Sequence, residues 1–388
     1  MDLHWLKPLL GRPAPFTTVY LDVTRAESAG ETEAAERWRA ARRRLEREGA
    51  PAGVLDEIGE LLAVPTRRRE ACGRVIIADA NGVVVDRELS VAPAQDTVAH
   101  GPVPMLLPAV RAAAEAVRSL VVEIDRAGAD LHWSDGAAES VEGGHDELHK
   151  TRDGLSRRGQ TRAEDSWHRN AEAVALVLDR RAAELDPELV VLTGDVRAVA
   201  LVRDQLGQRC SELVVEVAGG VRGEGVHRAF GARVAEAVDE FRERRRAAVL
   251  DRFAGSLGRG EGAVTSFEDV VEVLRRGQVD ELVLADGAAA ERFGDRELWV
   301  GPEPLQIATA VAELDTLGVS RDDARRLPAG VALVRAALGQ DAGVTLAPDG
   351  RVELADGIGA VLRWSDGSTP SESLLSQSAD VRRVRSIP

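Results

Sequence analysis

Two cysteines, Cys72 and Cys210, are all that the 388-residue chain holds. Two thiols cannot build a disulfide framework, and their spacing fits no metal motif. Both stand in apolar, strand-like stretches, where a free cysteine packs as a small hydrophobe. Long apolar runs are missing as well. No stretch approaches the roughly 20 residues of a membrane-spanning helix, so no membrane association is expected. The opening MDLHWLKPLLGRPAP has an early acid and several prolines where a signal peptide needs an apolar run; a cytoplasmic protein follows. Positive charge is short too. Acidic residues number 65 against 50 basic ones, for a net charge of −15. A protein that coats nucleic acid nonspecifically is basic overall, so any contact with nucleic acid must be local. Lysine is nearly absent, with only Lys7 and Lys150, and aromatics reach 3%. The arginine bias matches abundant Ala, Gly and Val and reads as genome composition.

The chain nevertheless concentrates positive charge in one place. HKTRDGLSRRGQTRAEDSWHRNAEAVA, residues 149–175, gathers His149, Lys150, Arg152, Arg157, Arg158 and Arg162 on a Gly-punctuated stretch. A basic loop over 149–162 is expected there, followed by an amphipathic helix from about Thr161 to Glu184. On that helix Trp167, Ala171, Val174 and Leu178 share one face and should be core.

The chain divides into three α/β regions of α+β character and a tail. Residues 1–116 open with the strand FTTVYLDV, a charged helix, a second helix from Pro51 to Leu62, and a hairpin about Asn81–Gly82. Residues 117–253 begin with three short antiparallel strands turning at Ala127–Gly128 and Asp135–Gly136. The basic stretch follows, then strands PELVVLTGD and SELVVEV alternate with helices. A mixed sheet covered by helices is the expected architecture. Residues 254–365 carry a well-capped helix TSFEDVVEVLRRGQ, the strand VDELVLAD, helices over EPLQIATAVAELDTLGV and PAGVALVRAALGQ, and closing strands AGVTLAP and GIGAVLRW. Residues 366–388 are Ser-rich and read as a flexible tail.

This order of elements resembles a known superfamily. A meander, a basic glycine-bearing loop, a long helix and alternating strands and helices are similar to the middle domain of archaeal and eukaryotic class-1 release factors and Pelota. LRRGQVDELVLAD and GIGAVLRW resemble their C-terminal domain, an L7Ae-like α/β sandwich. HKTR, RAEDSW and NAEAVA resemble the bacterial branch, which holds actinobacterial proteins and the hibernation factor Balon. The resemblance covers about Ser119 to Trp364.

The resemblance implies a tRNA-shaped factor in the ribosomal A site. Its middle-domain loop faces rRNA and the P-site tRNA. Its third domain meets an elongation-factor-Tu-type GTPase. In release factors the loop carries Gly-Gly-Gln, whose glycines let backbone approach RNA closely. Here RRGQ aligns Gly159 and Gln160, and Arg158 replaces the first glycine. His149, Lys150, Arg152, Arg157, Arg158, Gly159, Gln160 and Arg162 are the implied RNA-binding residues, and Gln160 is the one catalytic candidate. The leading expectation is a monomer that occupies the A site of idle or stalled ribosomes, in hibernation and not as an enzyme. The alternative is a peptidyl-tRNA (ester) hydrolase or rescue release factor acting through Gly159–Gln160. No Asn-Ile-Lys-Ser element is present, so stop-codon reading is not expected.

Other candidates carry less. His145, His149 and His168 lack metal spacing, and no metal or cofactor is expected. Asp195 follows a strand end without a glycine-rich phosphate loop. Arg242 to Arg246, RERRR, reads as an exposed helix face or a secondary RNA contact.

Overall fold

The computed structural model describes residues 3–24, 28–64, 72–142, 157–223, 228–287 and 294–370. They form an α+β structure of two compact units. One joins Met1–Ala116 with Arg244–Pro388; the other is Val117–Glu243.

In the first unit, β1 (Phe16–Asp22), β2 (Gly73–Asp79), β3 (Gly82–Leu89) and β4 (Thr97–Gly101) form an antiparallel sheet in the order β3-β2-β1-β4. Its period-two side-chain alternation divides two cores. Val19, Leu21, Ile76 and Ala78 face Leu45, Leu55 and Ile58, which lie on α1 (Ser28–Arg47) and α2 (Ala52–Ala63). Phe16, Tyr20, Val75 and Ile77 point the other way. They join Leu6 and Leu9 of a 3-10 helix at His4–Leu9 and, from the far end of the chain, Phe267, Leu333 and Val344. The first and third sequence regions therefore share one core. The expected hairpin is present: Asp79 Oδ1 accepts the Asn81 N–H at 2.7 Å, and Gly82 takes φ 133°. α3 (Leu107–Glu115) follows the sheet.

The third region centres on β11 (Val279–Ala285). It pairs in parallel with β15 (Gly343–Ala347) and antiparallel with β16 (Ile358–Leu362), in the sheet order β10-β16-β11-β15 with β10 at Ala263–Val264. The closing strands thus flank β11 instead of pairing with each other. A parallel partner needs a crossover, and the helix Ala329–Gly339 provides it. Ser266 caps α8 (Phe267–Arg275), accepting the Asp269 N–H at 3.1 Å.

The helix expected over residues 303–319 is mostly absent. Gln306 accepts from Gly301 N–H through its carbonyl at 2.8 Å and from Glu303 N–H through its side chain at 3.0 Å. Those bonds hold a loop. Ile307–Ala308 then forms β13 beside β12 (Glu297–Val300), with β14 (Arg325–Pro328) on the other side, and only Val311–Asp315 is helical. Past β16, Thr369 is buried and accepts from Gln278 Nε2 at 2.8 Å.

The second unit is a five-stranded mixed sheet in the order β7-β6-β5-β8-β9. β5 (Ser119–Ile124), β6 (Gly128–Trp133) and β7 (Ala138–Glu142) form the expected meander. β8 (Leu189–Gly194) and β9 (Val214–Glu216) extend it in parallel. Leu120, Val122 and Ile124 pack under α4 (Arg157–Leu185) and α5 (Val196–Gln205), together with Cys210 of the short α6 (Gln208–Ser211). The opposite face packs Val117, Leu189 and Val191 with Val234, Val238 and Phe241 of α7 (Arg228–Arg259).

Three arginines of the RERRR run, Arg242, Arg245 and Arg246, are engaged by the protein itself. Arg245 Nη2 donates to the carbonyls of Ala114 at 2.7 Å and Ala116 at 3.2 Å, capping the end of α3. Cations suit helix C-termini, where carbonyls lack partners. Arg246 reaches Glu115 at 3.9 Å and Arg242 reaches Asp239 at 2.5 Å. Arg244 is exposed.

Candidate functional site

β7 and α4 bracket residues 143–156. His145, His149, Lys150 and Arg152 lie outside the described residues. Arg157, Arg158, Gly159, Gln160 and Arg162 do not continue an open loop to residue 162. The backbone of α4 is helical from Arg157. No proline interrupts that stretch, and the lone Gly159 costs only about 1 kcal/mol against alanine inside a helix. The first four N–H groups of any α-helix have no acceptor within it. Counted from the residue before the helix, those within α4 belong to Arg157, Arg158 and Gly159.

Further along α4, Ala171, Val174 and Leu178 are buried as their spacing predicts. Trp167 is not core; it is half-buried and borders a groove. It packs there against a cation. The Arg126 guanidinium sits over the indole, 4.4 Å from the ring centroid.

Arg126 belongs to the turn between β5 and β6, residues 125–128, which serves as a hub. Asp125 Oδ1 accepts the N–H groups of Ala127 at 2.7 Å and Gly128 at 2.8 Å, an Asx-type turn. A side chain on Gly128 would run into the Val141 carbonyl of β7. The Arg126 carbonyl accepts Asn170 Nδ2 at 2.8 Å, and its Nε donates to Asp195 Oδ2 at 3.2 Å. Asp195 also caps α5 through the N–H groups of Arg197 at 3.0 Å and Ala198 at 3.2 Å. Burial alone raises the Asp195 carboxyl. The Ala198 and Arg197 N–H groups and the Arg126 charge outweigh it and hold the carboxyl below its ordinary range. At this strand end, where open α/β sheets often bind ligands, both Asp195 oxygens are thus engaged by the protein itself.

The other side of the hub is Arg222. Its Nη1 donates to Asp125 at 3.2 Å, its Nε to Asp130 at 3.1 Å, and its Nη2 to Glu142, the last residue of β7. The side chain is only 11% exposed. Burial opposes its charge, but Glu142, Asp130 and Asp125 prevail and raise its pKa above the usual guanidinium value. The chain is therefore held at the end of β7, by Arg222, and near the middle of α4, where Trp167 and Asn170 meet Arg126.

The groove lined by Arg126, Trp167, Asn170, Val174 and Arg197 encloses about 10 Å³. That is room for roughly one water molecule, far too little for a cofactor. Among the described residues no cluster of three His, Cys, Asp or Glu could hold a metal, and no helix is long and apolar enough to cross a membrane. His168 is exposed. Arg126, Asn170 and Arg222 are the residues that sequence reasoning missed. Asp125 in IDRAGA marks the turn, but Arg222 meets its partners across 80, 92 and 97 residues.

Comparison with known proteins gives this arrangement a context. Residues 118–259 match the family described as Bacterial archaeo-eukaryotic release factor family 2. Two uncharacterized proteins of Mycobacterium tuberculosis, from two strains, are 28% identical over 381 residues, covering 94% of this chain and 96% of each relative. An archaeal translation termination factor is 14% identical, over 92% of this chain and 96% of its own, with a TM-score of 0.22. Pelota of Archaeoglobus fulgidus is 14% identical, over 76% of this chain and 80% of its own, with a TM-score of 0.31. Such low scores give the two structural likenesses no functional weight.

Proposed function

From a middle unit that matches the family described as Bacterial archaeo-eukaryotic release factor family 2 over residues 118–259, we propose that the protein engages the ribosomal A site and acts in peptide release or ribosome rescue. The observation that carries this reading is the family match over 118–259. It spans the sheet, the hub turn and the start of α4 that bears Gly159 and Gln160.

The chemistry at that helix start is suited to RNA. The N–H groups of a helix's first turn and its positive end attract anions. Lys150, Arg152, Arg157, Arg158 and Arg162 add cations, and arginine grips phosphate bidentately. Next to a P-site tRNA, an N–H beside Gln160 would stabilise the departing hydroxyl and the Gln160 side chain would place water. The acidic remainder of the chain limits contact to this element. The superfamily resemblance further supports an L7Ae-like fold for residues 254–365 and a translational GTPase as their partner.

One observation favours a second reading. Arg158 stands where the release factors carry their first glycine, which brings a side chain to a place where bare backbone approaches RNA. Occupancy of idle ribosomes without hydrolysis, as in hibernation, accommodates that substitution. A peptidyl-tRNA release assay on stalled ribosomes separates the two. Release by the wild type that is abolished in Gln160→Ala supports the hydrolase. Ribosome binding by both proteins with no release supports occupancy. A protein that never sediments with ribosomes removes both.

A further inference from the structure

We infer that Arg126 and Trp167 are positioning residues, which fix the direction in which α4 carries Gly159 and Gln160. This rests on the proposed role of those residues, but the structural device stands by itself.

α4 runs for 29 residues, and Ala171, Val174 and Leu178 join the core against the sheet. Ahead of Ala171 a separate contact with the sheet edge can fix the direction of the helix. Arg126 is placed to do so. Its guanidinium covers the Trp167 ring at 4.4 Å, and its Nε is held by Asp195 at 3.2 Å. Asp195 is in turn fixed as the cap of α5. The Arg126 carbonyl, held by buried Asn170, ties the same turn to the same helix three residues further on. The brace thus joins the ends of β5 and β8 to the turn of α4 that holds Trp167 and Asn170. A cation held between a carboxylate and an indole loses little freedom on stacking. Trp167 brings no net charge, and its ring face attracts the guanidinium through the quadrupole of the indole. This explains a tryptophan that sits on the apolar stripe of α4 and yet is not buried.

The test uses the full-length protein, with hydrogen exchange of amides 161–170 and ribosome affinity as readouts. Arg126→Ala and Trp167→Ala should each speed exchange in that segment about five- to tenfold, since a stacked, partly desolvated cation contributes an interaction of that order. The double variant should add little more, because the two residues act as one contact. Trp167→Phe keeps a stacking face and should restore most protection. Exchange in β5 and β8 should stay as in the wild type. Ribosome affinity should fall in parallel in both alanine variants. Unchanged exchange at 161–170, equal acceleration throughout the unit, or simple addition in the double variant would overturn the brace. Faster exchange with unaltered ribosome affinity would uphold the brace and count instead against the role proposed for the α4 start. Absence of any wild-type ribosome binding would remove that role too, and exchange alone would then decide on the brace.

Discussion

Arg222 and Glu142 lie 80 residues apart in the chain, and the guanidinium of the first closes on the carboxylate of the second. That contact fastens the last residue of the meander to a loop ahead of α7. The same guanidinium holds Asp125 and Asp130, so one arginine ties the hub turn, β6 and β7 together.

Arg222→Met should destabilise the protein by about 1–3 kcal/mol, since it strands Asp130 and leaves three carboxylates facing one another. The lower end of that range allows for the solvent reaching Asp125 and Glu142, whose side chains are 45% and 71% exposed. Urea unfolding monitored by circular dichroism measures it. Wild-type stability in the variant would mean that the contact contributes nothing.

Asp195 makes stability depend on pH. Its carboxyl lies below the ordinary range in the folded protein, against about 3.9 when unfolded. Its contribution is complete above that unfolded value and is lost as pH falls through the folded one. Asp195→Asn keeps a good cap and discards the charge. The variant should be less stable at pH 7, with the gap to wild type closing on acidification below about pH 4. Asp195→Ala also loses the cap and should cost about 1 kcal/mol more. A gap that stays constant with pH would contradict the assignment.

Gly194 ends β8 with φ 124°, and a Cβ there would overlap the backbone of Ile124 on β5. Gly194→Ala should destabilise the second unit by more than about 2 kcal/mol, through strain and a steric clash that the parallel pair cannot relieve. Thermal unfolding followed by hydrogen exchange in β5 and β8 reads the loss directly. Normal protection in those strands would show that the strands can separate at little cost.

Cys210 is buried, and burial, with the Asp179 carboxylate adding to it, pushes the thiol up to about 11. Thiolate is the reactive form. A thiol reagent at pH 8 should therefore leave Cys210 untouched in the native protein and label it after unfolding, as mass spectrometry would record. Rapid native labelling would contradict its burial.

Much of this was legible in the sequence, and what was hidden has a physical pattern. The meander, β8 and α8 announce themselves through alternation, β-branched runs and the Ser266 cap. The Asn81–Gly82 turn is local chemistry and is found where expected. Trp167 misleads, because helical periodicity marks the side of a helix but not how deeply each position is buried. RERRR misleads because Arg245 finds its acceptors on α3, 129 and 131 residues away. Residues 303–319 show helical spacing, yet Gln306 bonds and the pairing of Ile307–Ala308 with β12 override it. β4 and the 3-10 helix at His4–Leu9 owe their structure to partners far along the chain. The basic stretch was visible as a charge anomaly; the hub at Asp125 and Arg222 was not, since ion pairs across 80 residues or more leave no periodic trace.

The central claim is that the positive charge before and at the start of α4 meets the phosphates of folded RNA. Its most direct test is the affinity of purified protein for 70S ribosomes across a range of salt concentrations. Wild type should bind with a steep salt dependence. Replacing Lys150, Arg157 and Arg158 together by alanine should weaken binding and flatten the log–log slope by roughly 2–3, about 0.9 for each lost phosphate contact. An identical slope and affinity in the triple variant would contradict the account.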